Sequence, residues 1–317
     1  MHSARVYGRE LYVLSLIPPL RAAAWLAGGH RGALDALIRF SNLLVHPVSG
    51  DVRAVREASR SLETYWRTHD GQDFALYAAA LGEPRWYVGR RILDFGCGVG
   101  RKSYEMARGG AAEVLGIDAS ARNIEVARKL AGDLPNLRFQ VTLAEDLGPE
   151  HAGRFDDVVS FTVFEHVSDV AGALAQIHRL LRPGGRAVIV FQHYDDRNGS
   201  HLKEFVHHPW PQLIFPEEAL FDFWNRRLAA AQAEGEMHYF PPGYRHGFSG
   251  HNQDCYMNLN RLSVEDFEAL VPGSGLGMER EFFYSRSPLL VRFPVLARSP
   301  LASHLRGSAV YVLRKPA

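Results

Sequence analysis

The sequence predicts an α/β fold of the doubly wound type, and three features predict it. An apolar run, Ile92-Leu93, ends in Asp94 and passes directly into a loop carrying Gly96, Gly98 and Gly100. A helix-like segment, Lys102 to Arg108, follows. A second short apolar run, Glu113-Val-Leu-Gly-Ile-Asp118, again ends in a carboxylate. Strand, glycine turn, helix and strand in that order make one parallel crossover unit.

The glycine turn suits a ligand that lies close to the backbone, because a Cβ would block the approach and because tight turns use positive φ. Its spacing is G-x-G-x-G, which differs from the G-x-G-x-x-G of dinucleotide binders. Asp94 just before it favours a ligand bringing positive charge and disfavours a pyrophosphate, since two anions repel. Asp118 stands where a doubly wound fold places the acid that holds a ribose, and a carboxylate can accept from both ribose hydroxyls. The bland alternative is that Asp118 caps the helix Arg122–Ala131, a role Ser120 can also fill.

These pieces resemble the class I S-adenosylmethionine-dependent methyltransferases of the seven-stranded Rossmann-like type. Ile92–Gly100, Gly116–Ser120, Ala144–Leu147, Phe155–Ser160 with Val163–Val167, and Leu180–Gly185 with Arg186–Phe191 match five family motifs in order. The resemblance implies a mostly parallel seven-stranded sheet with an antiparallel last strand. It also implies S-adenosylmethionine as cofactor and S-adenosylhomocysteine as product. Asp94, Gly96 and Gly98 would line the methionine part, Asp118 would hold the ribose, and Ala144 and Glu145 would sit at the adenine edge. Cys97, Ala119 and Phe161 would lie beside them at the cofactor. Leu143 departs from the aspartate that many relatives carry before that alanine.

The rest of the chain divides around this core. Residues 1–85 read as a helical extension, 86–191 as the cofactor-binding core, 192–260 as a lid and substrate-binding insertion after the fifth strand, and 261–317 as the end of the core. In the extension, Leu34, Leu37, Ile38 and Leu44 make a helical apolar face. Leu11–Leu20 is too short to span a bilayer, and Pro18-Pro19 should break it. It loosely mimics a secretory signal or a membrane-surface anchor. Residues 51–80 again look helical and carry Tyr65 and Trp66, core residues or a cover over the cofactor. Ser263 should cap a helix within 259–270, with strands at Met278–Tyr284 and Ser308–Leu313.

Composition narrows the partners. The 317 residues carry a net charge of +1, with 22% charged residues and no basic block, which gives no footprint for nucleic acid. The two cysteines, Cys97 and Cys255, and the place of Cys97 inside the glycine loop fit a reduced, cytoplasmic setting. A small-molecule acceptor is expected, with weak membrane-surface contact through the N-terminus and an open oligomeric state in which a dimer is allowed.

The insertion is rich in aromatic residues and histidines, expected to wall a flat or apolar acceptor or else to form a second small core. His166 and His193 follow strand ends and are the candidate general bases. Glu165-His166 resembles the end of an E-x-x-E-H metal pattern of some quinone-pathway O-methyltransferases. The first glutamate position is Thr162, so no metal is expected. The expected reaction is methyl transfer by direct displacement to an oxygen of a secondary metabolite, quinone-like or lipid-like molecule, with nitrogen or carbon acceptors as alternatives. A non-catalytic cofactor-binding relative and a nicotinamide-dependent oxidoreductase are the rivals from other classes.

Overall fold

The computed structural model describes residues 2–45, 60–68, 72–242, 244–247 and 259–317, apart from 286, 288–289, 291, 294 and 297–298. Cys255 and the end of the predicted insertion, 248–258, lie outside the described residues, as do 46–59 of the extension.

Seven strands form one sheet: β1 Arg91–Phe95, β2 Glu113–Asp118, β3 Leu137–Val141, β4 Phe155–Phe161, β5 Leu181–Phe191, β6 Gly277–Tyr284 and β7 Ser308–Arg314. Their order is β3-β2-β1-β4-β5-β7-β6. β1 to β5 pair in parallel, and β7 runs antiparallel between β5 and β6. The chain therefore reverses its direction of travel across the sheet between β1 and β4. Doubly wound folds bind ligands beyond the strand ends at such a switch point.

Among the described residues the helices are α1 His2–Leu26, α2 Arg31–Val45, α3 Leu62–Thr68, α4 Gln72–Leu81, α5 Arg101–Arg108, α6 Ala121–Ala131, α7 Val170–Leu180, α8 Glu217–Ala233 and α9 Val264–Leu270. Alternate strand residues feed two cores. Leu93, Leu115 and Val158 pack on one face with Leu174, Ile177 and Phe267. Ile92, Val114 and Val159 pack on the other with Tyr77, Trp86 and Met106. Asp157 is fully buried and bridges Arg90 (2.7 Å) and Arg186 (2.9 Å), so this acid of the fourth motif serves the scaffold.

One expectation about the flanks changes and one holds. α1 runs through Pro18 and Pro19. Both prolines are exposed, so the helix carries them on its outward side. The helix expected within 259–270 starts at Val264, directly after its expected cap: the Ser263 hydroxyl accepts from the Asp266 N–H at 3.0 Å. Asn260 and Arg261, the latter at φ 58°, are used otherwise.

The extension and the insertion share a core. Leu20, Ala24, Leu34 and Ile38 of the α1–α2 hairpin pack with Leu202, Phe205, Phe215, Phe223, Trp224 and Phe240 of the insertion. Most insertion aromatics are therefore spent on joining two chain segments, and the second-core alternative describes them better than a pocket wall. Trp224 is fully buried and touches Phe205, Phe240, Tyr244 and His246 ring to ring. Trp224→Ala should cost about 3–5 kcal/mol in urea unfolding and speed proteolysis within residues 2–45. Unchanged stability would contradict this shared core.

Candidate active site

The glycine loop is held by the carboxylate at the end of the next strand. Asp118 accepts from the Gly98 N–H (2.9 Å), the Ser120 N–H (2.9 Å) and Asn123 Nδ2 (3.2 Å). Ser120, not Asp118, caps α6: its hydroxyl accepts from the Asn123 N–H at 3.2 Å. A carboxylate offers roughly four lone-pair directions, and three are filled. The fourth is left for one hydroxyl of a ligand.

Gly96 and Gly98 differ in what they serve. A Cβ on Gly96 (φ 73°) would come within 2.4 Å of the Val163 side chain, so this glycine lets the β1 loop press against the turn after β4. A Cβ on Gly98 (φ 54°) would meet nothing within 4 Å. The space above Gly98 is free for a ligand that runs along the backbone. Asp94 is buried below the loop and accepts from the Ser103 hydroxyl at 2.6 Å. Burial pushes the Cys97 thiol up, and the charges of Asp94 and Asp118 add to this. The loop thus sits in a negative field, which suits a sulfonium carrying an amino group and repels a pyrophosphate.

The adenine end is less as expected. Ala144 is buried, but Glu145 is exposed beside it. Val141 and Leu143, 43% and 48% exposed, present an apolar ledge at the end of β3. Such a ledge suits a flat base through its face. Phe161 is half-buried under the Lys102 ammonium, 4.7 Å from its ring centre. α3 lies close by: Trp66 packs on Tyr104 and under the Arg101 guanidinium at 4.5 Å. Tyr65 touches Tyr239 of the insertion, and Arg122 donates to the Tyr239 carbonyl at 2.7 Å.

A second group gathers at the end of β4. Thr162 has φ 53°, a strained value for a β-branched residue. It leads into the short turn Phe164–His166. His166 is half-buried, its ring 5.1 Å edge-on from that of His201. Glu165 is buried, with Oε1 3.8 Å from His201 Nε2. Burial raises the Glu165 carboxyl to about 8. Burial also holds the His201 ring well below the usual histidine range, helped by His166 and His246. Ligand atoms of Glu165, His166 and His201 lie within 4.8 Å of one another, a donor set that would suit a divalent cation.

Two residues of this group give no sequence signal. Asn260 donates from Nδ2 to the carbonyls of Phe164 and Val167, both at 2.7 Å, and its N–H donates to the Glu165 carbonyl at 2.9 Å. It staples the turn that carries His166. His201, also at φ 53°, comes from the insertion. His193 is not brought to this group. It is buried, and burial with the nearby Arg306 charge lowers its ring to about 4. A base closed off from the cleft cannot reach an acceptor, so His166 remains the candidate.

The strand order and parallel pairing make this a doubly wound α/β fold, with the glycine loop at its switch point. The "Methyltransferase domain" family matches residues 93–189. The ubiquinone biosynthesis O-methyltransferase of Paracidovorax citrulli is 33% identical over 184 residues, covering 53% of this chain and 75% of that protein. The protein of the same name from Alkalilimnicola ehrlichii is 36% identical over 151 residues, covering 44% and 59%. Among solved structures, an S-adenosylmethionine-dependent methyltransferase from Mesorhizobium loti is 20% identical with a TM-score of 0.46, covering 76% of this chain and 96% of its own. Magnesium protoporphyrin IX methyltransferase from Synechocystis, with bound S-adenosylhomocysteine, gives 16%, 0.46, 83% and 99%. The chain belongs to the S-adenosylmethionine-dependent methyltransferase family, and S-adenosylmethionine is its cofactor.

Asp118→Ala should lower the affinity for S-adenosylhomocysteine by about 10- to 100-fold, the worth of one hydrogen bond to a charged group, in calorimetric titration. Burial raises the Asp118 carboxyl despite its three donors. The ionised form is the acceptor, so affinity should fall on acidification before the ordinary aspartate range near about 4 is reached. The variant should show no such fall. Equal affinity and pH response in both proteins would refute the assignment.

Proposed function

We propose that the enzyme methylates a hydroxyl group of a small, quinone-like acceptor, with His166 as the general base. The observation that carries this is the contact between the two halves of the site. Val163 of the His166 turn presses on Gly96 of the cofactor loop, so a proton acceptor stands next to the methyl donor's seat. The names of the matched relatives support an oxygen acceptor in ubiquinone-like chemistry. A cytoplasmic setting stays with this proposal, as does a role for the insertion as a lid. His201 and Tyr239 bring the insertion against both the His166 turn and the α6 side of the cleft.

Bound S-adenosylmethionine supplies the methyl group by displacement at its sulfonium. The chain's own residues hold and deprotonate. Asp118 fixes the loop, and the negative field under it favours the cofactor's cationic end. His166 takes the hydroxyl proton, and the uncharged His201 ring beside it adds no competing positive charge. Positioning supplies much of the remaining rate.

A second reading has its own observation. Among the described residues, Glu165 Oε2 and His201 Nε2 are buried without hydrogen-bond partners, and with His166 they would hold a divalent cation able to polarise the acceptor hydroxyl.

The test is a methyl-transfer assay over a panel of phenolic and quinol acceptors. His166→Ala should lower kcat about 10²- to 10⁴-fold with cofactor affinity within a few-fold of wild type. Full activity in the variant would overturn the base assignment. Loss of wild-type activity to a chelator, restored by magnesium or zinc, would favour the cation reading.

A further inference from the structure

The α1–α2 hairpin turns one face inward and leaves the other without a partner among the described residues. In α1, Val13, Leu20 and Ala24 are buried, while Leu11, Ser15, Pro18, Ala22 and Trp25 are exposed. The exposed set recurs every three or four residues, which is one helical face. In α2, Leu34, Ile38, Ser41 and Val45 are buried, and Ala36, Phe40 and Leu43 make the opposite face. The inner faces of both helices enter the same core with the insertion. The two outer faces therefore point away from it together. Trp25, Leu26, Leu43 and Leu11 are 79%, 75%, 72% and 66% exposed. They rank among the most exposed large apolar side chains of the described residues.

The charge around this apolar surface is positive. Residues 2–45 contain five arginines against two carboxylates, Glu10 and Asp35. Asp35 is tied to Arg226 at 2.7 Å. Arg21, Arg31 and Arg39 are exposed on the hairpin; Arg31 is ion-paired to Asp222 at 3.0 Å and Arg39 lies 5.4 Å over the Phe223 ring, which leaves Arg21 as the cation nearest the outer face. No helix among the described residues is long and apolar enough to cross a membrane.

We infer that the outer face of the α1–α2 hairpin docks on an anionic lipid surface, lying in the plane of the interface. Bare tryptophan and leucine side chains flanked by arginines are what such a surface recognises: apolar groups enter the acyl boundary and guanidiniums meet headgroup phosphates. The same face fits a second copy of the chain poorly, because a two-fold contact would set these arginines near their own copies. The sequence alone pointed to Leu11–Leu20 as the contact. Leu20 and Val13 are buried, so the structure moves the contact to Leu11, Trp25, Leu26, Phe40 and Leu43. Since the hairpin's inner face is fused to the insertion, docking would hold the insertion next to the lipid, where an apolar acceptor concentrates. The docking itself does not depend on which acceptor is used.

The experiment is co-sedimentation of the full chain with vesicles of equal parts phosphatidylglycerol and phosphatidylcholine, and with pure phosphatidylcholine vesicles. A Trp25→Ser/Leu43→Ser double variant is compared; both sites are exposed, so folding should be unaffected. Titration with S-adenosylhomocysteine on the same samples reports the cofactor site separately. Binding to the anionic vesicles should exceed that to the neutral ones, fall as salt rises, and drop at least about tenfold in the variant while cofactor affinity holds. Absence of vesicle binding, or equal binding by wild type and variant, would overturn the proposal. So would a lipid-free dimer in sedimentation velocity that the variant abolishes.

Discussion

The site depends on one carboxylate reaching across two strands. β1 and β2 are parallel neighbours, with Asp94 opposite Gly116 in register. Asp118 at the end of β2 therefore stands beside the loop that leaves β1. Its bond to the Gly98 N–H fixes that loop, and its bonds to Ser120 and Asn123 fix the start of α6. Charge-assisted bonds of this kind are among the stronger ones, and here they are made where burial disfavours the charge. The order of the glycine loop and that of the start of α6 pass through the same side chain. Loss of Asp118 releases the loop and the start of α6 together.

Much of this was legible in the sequence because it is local. The glycine spacing, the carboxylates closing two apolar runs, and the serine caps at Ser120 and Ser263 each sit within a few residues of what they organise. The sheet's antiparallel strands were likewise legible at Met278–Tyr284 and Ser308–Leu313, within a residue of their observed ends. What escaped depends on distant contacts. Asn260 staples a turn almost a hundred residues earlier in the chain, and nothing in its neighbours marks it. His201 joins His166 from the insertion. The aromatic richness of 192–260 was visible, but composition does not say which partner an aromatic packs on. Here that partner is a helical hairpin from the other end of the core.

Two constraints set the chemistry of the cleft. The cofactor loop is negative and open above Gly98, while the turn after β4 carries a half-buried histidine against a buried carboxyl that resists ionising. The loop and the turn touch through Gly96 and Val163, so neither can move far without the other. Strained backbone at Thr162 and His201 lies at the same place. Strain persists where surrounding structure over-determines it, and here the Asn260 staple and the insertion's core do so.

The most direct measurement is a crystal structure of the S-adenosylhomocysteine complex, from which the distance between the ligand's sulfur and the nearer His166 ring nitrogen is read. A methyl group, an acceptor oxygen and a proton must fit between them. With His166 as the base, the sulfur should face its ring across an open gap of roughly 6–8 Å, the sum of one bond and two near-contact distances. A sulfur turned away from His166, or separated from it by packed side chains, would contradict the account.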